Sequence, residues 1–203
     1  PVSAELHGHT AILDGFAGTL TLDPNEQMLA EATAKIAAQQ AQREALRQLA
    51  SAPSVTQDGH SIRLYANIAG TDDLPLLQES GAEGVGLLRS EFLYLGRSTY
   101  PTEDELFESY KTIVQAMDGR EIIIRTLDIG ADKQADYFDM PPEDNPALGL
   151  RAIRLCLTRP ILFQTQLCAI LRASRYGNVG IMFPMVTGPD ELHRLKEALA
   201  DAE

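Results

Sequence analysis

The sequence predicts an α/β fold in which parallel strands are joined by right-handed helical crossovers. Three observations carry that expectation. From residue 62 onward, short apolar runs alternate with segments that have helix caps and helix-forming composition. The run at 122–124 is apolar, β-branched and short, as a strand buried on both faces reads. Two of the runs also end alike. Gly84-Val-Gly-Leu-Leu-Arg-Ser-Glu-Phe92 and Glu121-Ile-Ile-Ile-Arg-Thr-Leu-Asp-Ile-Gly-Ala-Asp-Lys133 each pass abruptly from apolar residues to an arginine near a carboxylate.

Taken in order, residues 11–23 read as two short strands around a glycine-containing turn, a hairpin that is marginal alone. Asp23, Pro24 and Glu26 then supply an N-cap, a proline at the first helical position and an acid three residues after the cap. Residues 25–51 are rich in Ala, Gln, Glu and Arg, all strong helix formers. Met28, Leu29, Ile36, Leu46 and Leu49 give this helix only a thin apolar stripe, which suits a connector between domains. Ser51-Ala-Pro-Ser54 ends it. Residues 54–56 and 61–68 read as a hairpin with Asp58-Gly59 as the turn.

The alternation begins there. Residues 62–68 form a strand, Thr71 caps a short helix to Ser80 that Gly81 ends, and 85–88 is the next strand. Thr102 with Glu105 is a capping box for a helix through Met117, closed by Asp118-Gly119. Residues 122–124 are the third strand. Residues 147–176 read as helix in one or two pieces, with Arg159-Pro160 marking a break and Gly177 the end. Residues 179–185 are the fourth strand, and Thr187-Gly-Pro-Asp190 opens an amphipathic helix with Leu192 and Leu195 on one side. Four units suit either a small open sheet or a piece of something larger. A (β/α)8 barrel takes eight units and about 250 residues, and four alone leave two sheet edges open.

A net charge of −12 excludes general nucleic-acid binding, which needs a basic face. It also makes the place of each arginine informative, because an acidic chain holds an anion only where its few cations converge. No apolar run approaches the roughly 20 residues of a membrane span, and no basic-then-apolar leader is present, so the expectation is a soluble, cytoplasmic protein. Cys156 and Cys168 lack a CxxC spacing and read as reduced, buried thiols. His7 and His9 have no further Cys or His nearby, and a closed metal site takes about four ligands, so they read as exposed loop residues. The charged cluster of Arg125, Asp128, Asp132 and Lys133 falls where a strand must end, and in α/β folds the C-terminal ends of parallel strands are where substrates are met.

Four motifs occur in register: Gly81-Ala-Glu-Gly-Val-Gly-Leu-Leu-Arg-Ser-Glu-Phe92, Arg125-Thr-Leu-Asp-Ile-Gly-Ala-Asp-Lys133, Asn145-Pro-Ala-Leu-Gly-Leu-Arg-Ala-Ile-Arg154 and Ile181-Met-Phe-Pro-Met185. Together they resemble the phosphoenolpyruvate-binding domain of enzyme I of the bacterial sugar phosphotransferase system, and the same module of multiphosphoryl transfer proteins. The resemblance spans nearly the whole chain. It implies that residues 53–203 are the first half of a (β/α)8 TIM barrel, 24–52 a linker helix and 1–23 the tail of a phosphohistidine domain. It further implies that phosphoenolpyruvate binds on the barrel with Mg²⁺, phosphorylates a histidine of a separate domain, and that the group passes to the carrier HPr. The full-length parent is then expected to be a homodimer.

By the same resemblance, Arg89 and Arg125 match the arginines that hold the substrate phosphate. Lys133 and Arg151 are outer members of the cationic cluster, and Glu91 and Asp128 orient the arginines. Arginine forks match phosphate oxygens bidentately, which agrees with such a role. The family's phosphorylated histidine stands in a Gly-Gly-x-Thr-Ser-His stretch that does not occur here, and His7 and His9 do not match it. The metal-holding Glu and Asn-Asp pair, a further arginine and the proton-donating cysteine belong to the barrel's second half, and Cys156 and Cys168 do not match that cysteine. No catalytic residue and no metal ligand is therefore expected within this chain. Two other readings stand beside this one: a non-catalytic half-barrel used for anion binding or assembly, and an enzyme like pyruvate phosphate dikinase or phosphoenolpyruvate synthase.

Overall fold

Local chemistry sets the first elements. Strand β1 (Ala11–Asp14) pairs antiparallel with β2 (Thr19–Leu22), from Ala11 opposite Leu22 to Asp14 opposite Thr19. The Asp14 carboxylate closes the turn by accepting from the amides of Phe16 and Ala17 at 3.0 and 2.9 Å. Helix α1 (Glu26–Leu49) starts later than its sequence suggests. Asp23 lies in the left-handed region at φ 46°, where it cannot act as N-cap, and it meets His9 Nδ1 instead at 2.6 Å. Asn25, with extended backbone, takes the cap and accepts from the Met28 amide at 2.8 Å. No residue of α1 is buried, and Ile36, Leu46 and Leu49 are exposed.

The computed structural model describes residues 7–130 and 136–203. The chain divides into two units, Pro1–Ala52, which holds the elements above, and Pro53–Glu203. In the second unit the expected hairpin shrinks to one antiparallel bridge, Val55 with Ser61. The Leu64 amide goes to the Glu83 side chain at 3.1 Å, so the following strand, β3 (Tyr65–Ile68), begins three residues later than expected. It joins β4 (Gly84–Arg89), β5 (Ile122–Arg125) and β6 (Val179–Met182) in a parallel sheet of order β3-β4-β5-β6. Pro184, without an amide hydrogen, and Met185 at φ 64° end β6 before the expected residue 185. Gly84 is required where β4 opens, since a Cβ there would lie 2.7 Å from the Glu121 carbonyl oxygen.

Between the strands run α2 (Leu74–Glu79), α3 (Glu103–Ala116), α4 (Ala152–Thr158) and α5 (Pro160–Ser174), and after β6 comes α6 (Pro189–Ala202). Thr71 does not cap α2. It opens a short 3-10 turn, and Asp73 turns back to accept from the Ala69 amide at 2.7 Å. The capping box of α3 is present: the Glu105 amide donates to Thr102 Oγ1 at 3.3 Å, and the Thr102 amide to Glu105 Oε2 at 2.8 Å. Arg97 donates to the other oxygen at 2.8 Å. The backbone bond from Thr102 and the Arg97 contact hold the Glu105 carboxyl down to about 2. A lowered folded-state value means the contribution is present above the usual 4.5 and lost as pH falls toward 2. Comparing urea midpoints of the wild type and Glu105→Gln, the gap should therefore narrow steadily from pH 5 to pH 2.5. An unchanged gap would show that the carboxylate form contributes nothing.

The core gathers Val85, Leu88, Ile122 and Ile124 of the sheet with Leu106, Tyr110 and Ile113 of α3 and Leu167 and Ile170 of α5. Strand β5 alternates, with Ile122 and Ile124 buried and Ile123 and Arg125 half-buried. The expectation of burial on both faces is thereby corrected: among the described residues the buried core lies on the side of Ile122 and Ile124, and the other face of β5 is only part-covered. Among the described residues no helix is long and apolar enough to cross a membrane.

Candidate functional site

Two arginines end neighbouring strands at the same level. In the parallel pairing of β4 with β5, Leu88 stands opposite Ile124 and Arg89 opposite Arg125. Leu88 and Ile124 enter the core, so the alternation of a strand turns Arg89 and Arg125 to the other face. A register irregularity between Val85 and Leu88 adjusts β4 just before its tip. The polar groups of the site thus lie at the C-terminal edge of the sheet, where the chain turns away into loops.

Carboxylates hold Arg125 from two sides. Its Nη2 pairs with Glu91 Oε1, and its Nη1 lies 3.4 Å from Asp128 Oδ2. The other oxygen of Asp128 accepts from Arg151 Nε at 2.9 Å, so one carboxylate bridges two guanidinium groups. These groups are largely withdrawn from water: Glu91 is 2% exposed, Asp128 12%, Arg151 13% and Arg125 16% by side chain. Charges so placed are costly to desolvate, and the pairing compensates only while both partners remain. Arg89 is placed differently, with its guanidinium stacked 4.8 Å from the centre of the Phe92 ring. Among the described residues, the Nε–H groups of Arg89 and Arg125 are both buried without an acceptor. A buried donor left unmade costs about 1–3 kcal/mol. Among the described residues, Arg89, Arg125 and Arg151 meet Glu91 and Asp128 at this edge, in a chain of net charge −12.

Of the residues singled out from sequence, Arg125 and Arg151 are brought together through Asp128, and Arg89 stands beside Arg125 in register. Lys133 lies outside the described residues. Cys156 is buried under the loop after β5, its thiol 3.8 Å from the Leu127 carbonyl and pushed up to about 12 by burial. Cys168 is only half-buried, because its position on α5 is covered less than expected. His9 is exposed and takes Asp23 as its partner. Among the described residues no group of three His, Cys, Asp or Glu could hold a metal ion, and Glu91 and Asp128 are committed to arginines. A groove of about 400 Å³ lined by Tyr100, Arg159, Ile161 and Thr165 lies elsewhere. Its one cation, Arg159, is spent on the Tyr100 hydroxyl and the Phe138 carbonyl, so it offers little to an anion.

Sequence reasoning missed Gln166, Ser90 and Tyr110, all buried and linked beneath the strand tips. A signal was present for the first: Gln166 interrupts the apolar stripe of Leu162, Phe163, Leu167, Ala169, Ile170 and Ala173 on α5.

Residues 43–203 match the family described as PEP-utilising enzyme, PEP-binding domain. The chain is 47% identical over 194 residues to the phosphoenolpyruvate-protein phosphotransferase of Staphylococcus carnosus, covering 96% of this chain and 34% of the relative. It is 47% identical over 195 residues to the protein of the same name from Bacillus subtilis, with the same coverage. The Geobacillus stearothermophilus protein of that name is 47% identical over 201 residues, 98% of this chain and 35% of the relative. The chain thus spans about a third of the length of the curated relatives it matches. On these grounds, and with its arginines gathered at the tips of parallel strands, the chain belongs to the PEP-utilising enzymes, within their PEP-binding domain.

Proposed function

We propose that this chain is part of a phosphoenolpyruvate-protein phosphotransferase, in which Arg89 and Arg125 hold the phosphate of phosphoenolpyruvate while it passes to a protein histidine. The observation that carries the reading is the pair of buried Nε–H groups without acceptors, on arginines level with each other at neighbouring strand ends. Phosphate oxygens are the acceptors such donors suit, and phosphoryl transfer depends mainly on positioning and charge stabilisation. In the step itself the bond from phosphorus to the enol oxygen breaks, a phosphorus–nitrogen bond forms to the histidine, and the enolate takes a proton at carbon to become pyruvate. Arg89 and Arg125 steady the phosphoryl oxygens throughout. Glu91 and Asp128 keep Arg125 in place, and Arg151 and Lys133 add positive charge around it.

In this reading residues 53–203 are the first half of a (β/α)8 barrel. The sequential parallel strands and the part-covered face of β5 support it. Residues 24–52 are a linker helix and 1–23 the tail of the phosphohistidine domain. Mg²⁺, by the family resemblance, takes its ligands from outside this chain, and among the described residues the carboxylates at the strand tips are paired with arginine rather than placed for a metal. The partners are an HPr-type carrier and a second copy in a homodimer, the pathway is sugar uptake and the compartment is the cytoplasm.

The test supplies labelled phosphoenolpyruvate and an HPr-type carrier to the natural protein that contains this chain. Label should appear on a histidine of the protein and then on the carrier, with pyruvate released, while residues 1–203 alone release none. Turnover by the 203-residue chain alone, or a requirement for ATP as in a dikinase, would overturn the reading.

A further inference from the structure

Beneath the two strand tips, a single amide ties together the segments that carry the arginines and their carboxylates. Gln166, on α5, is 1% exposed. Its Oε1 accepts from the Leu127 amide at 2.9 Å, and its Nε2 donates to Ser90 Oγ at 2.9 Å and to Tyr110 Oη at 3.1 Å. The backbone amide can only donate, so the atom that faces it must be the oxygen, and this fixes the amide's orientation. Ser90 stands between Arg89 and Glu91, and Leu127 between Arg125 and Asp128.

We propose that Gln166 is a positioning residue for phosphate binding: by bridging Ser90 and Leu127 it sets Arg89 and Arg125 at the separation one phosphate requires. The inference rests on the reading of those arginines given above. Glutamine suits the task because it pairs one acceptor with two donor hydrogens, and each is used here. Tyr110 supplies an anchor in α3, and burial keeps its hydroxyl protonated by pushing it up to about 12. Met at this position has nearly the same reach but makes none of the three bonds. It would leave a buried backbone amide unpaired and the two tips free to shift relative to each other.

A merely structural glutamine would affect stability alone, so the test needs a matched control. Tyr110→Phe removes one bond from the same amide, and the Tyr110 hydroxyl's hydrogen bond with Ser90, but leaves the amide's own bonds to Ser90 and Leu127 in place. In the natural protein, Gln166→Met should lower kcat/KM for phosphoenolpyruvate on the order of tenfold or more, with part of the loss in kcat, since small misplacements of reacting groups are costly. Tyr110→Phe should lose measurable stability too, though less, and stay within about twofold in kcat/KM, because it leaves the tips bridged. Equal kinetic effects in the two variants would overturn the inference. If Gln166→Met does not fold, Ser90→Ala makes the same comparison: a kinetic loss well beyond that of Tyr110→Phe supports the bridge, and parity refutes it. Arg89→Gln separates the phosphate site from the role of Gln166. Unchanged kinetics there would sink the phosphate site itself. A large loss there, with Gln166→Met behaving like Tyr110→Phe, would sink only the role of Gln166.

Discussion

Arg125→Lys in the natural protein should lower kcat/KM for phosphoenolpyruvate by about a hundredfold to a thousandfold while the protein still folds. The charge is kept, so Glu91 and Asp128 retain a cation between them, 2% and 12% exposed as they are. What is lost is the fork. Arg125 gives Nη2 to Glu91 and Nη1 to Asp128 and still has Nε–H for a further acceptor. An ammonium is a compact point charge and cannot span two carboxylates while presenting a third, rigidly aimed donor. Steady-state kinetics alongside a thermal melt decides it. Near-normal kinetics with a normal melt would mean that Arg125 is a structural cation and nothing more.

The largest stability effect should come from Glu91→Ala. The substitution leaves Arg125 with Asp128 alone and opens a void at a site 2% exposed. Breaking a buried ion pair by removing one partner costs about 3–5 kcal/mol. For a unit of this size that corresponds to a fall in melting temperature of roughly 10 °C. The matched control is Glu108→Ala on α3, which breaks an exposed pair with Lys111, the glutamate side chain there being 62% exposed. Exposed pairs contribute about 1 kcal/mol or less. Equal losses in the two variants would show that Glu91 is not the buried anchor of Arg125.

How far the sequence could be read depends on how local the determining interaction is. The capping box of Thr102 and Glu105 and the break at Arg159–Pro160 act within a few residues, and both stand as read. Asp23 and Asn25 are equally good caps by composition, and only the left-handed backbone at Asp23 gives the start of α1 to Asn25. The hairpin expected at 54–68 is one bridge, and Leu64 gives its amide to Glu83, nineteen residues on, a contact no local pattern announces. Within the candidate site, the arginine beside a carboxylate was legible at each strand end. The bridge from Asp128 to Arg151 spans 23 residues and that from Gln166 to Ser90 spans 76. No spacing rule links residues so far apart. Gln166 was visible only as a polar interruption of an apolar stripe, a pattern that equally fits a solvated helix edge.

In the proposed site one phosphate is shared by two guanidinium groups from adjacent strand ends. A crystal structure of the natural protein with phosphoenolpyruvate bound tests it most directly. Phosphate oxygens within about 3.2 Å of nitrogens from both Arg89 and Arg125, with Glu91 and Asp128 still holding the latter, is the predicted result. A phosphate seated elsewhere, with Arg89 still stacked on Phe92 and Arg125 donating to its two carboxylates alone, would contradict it.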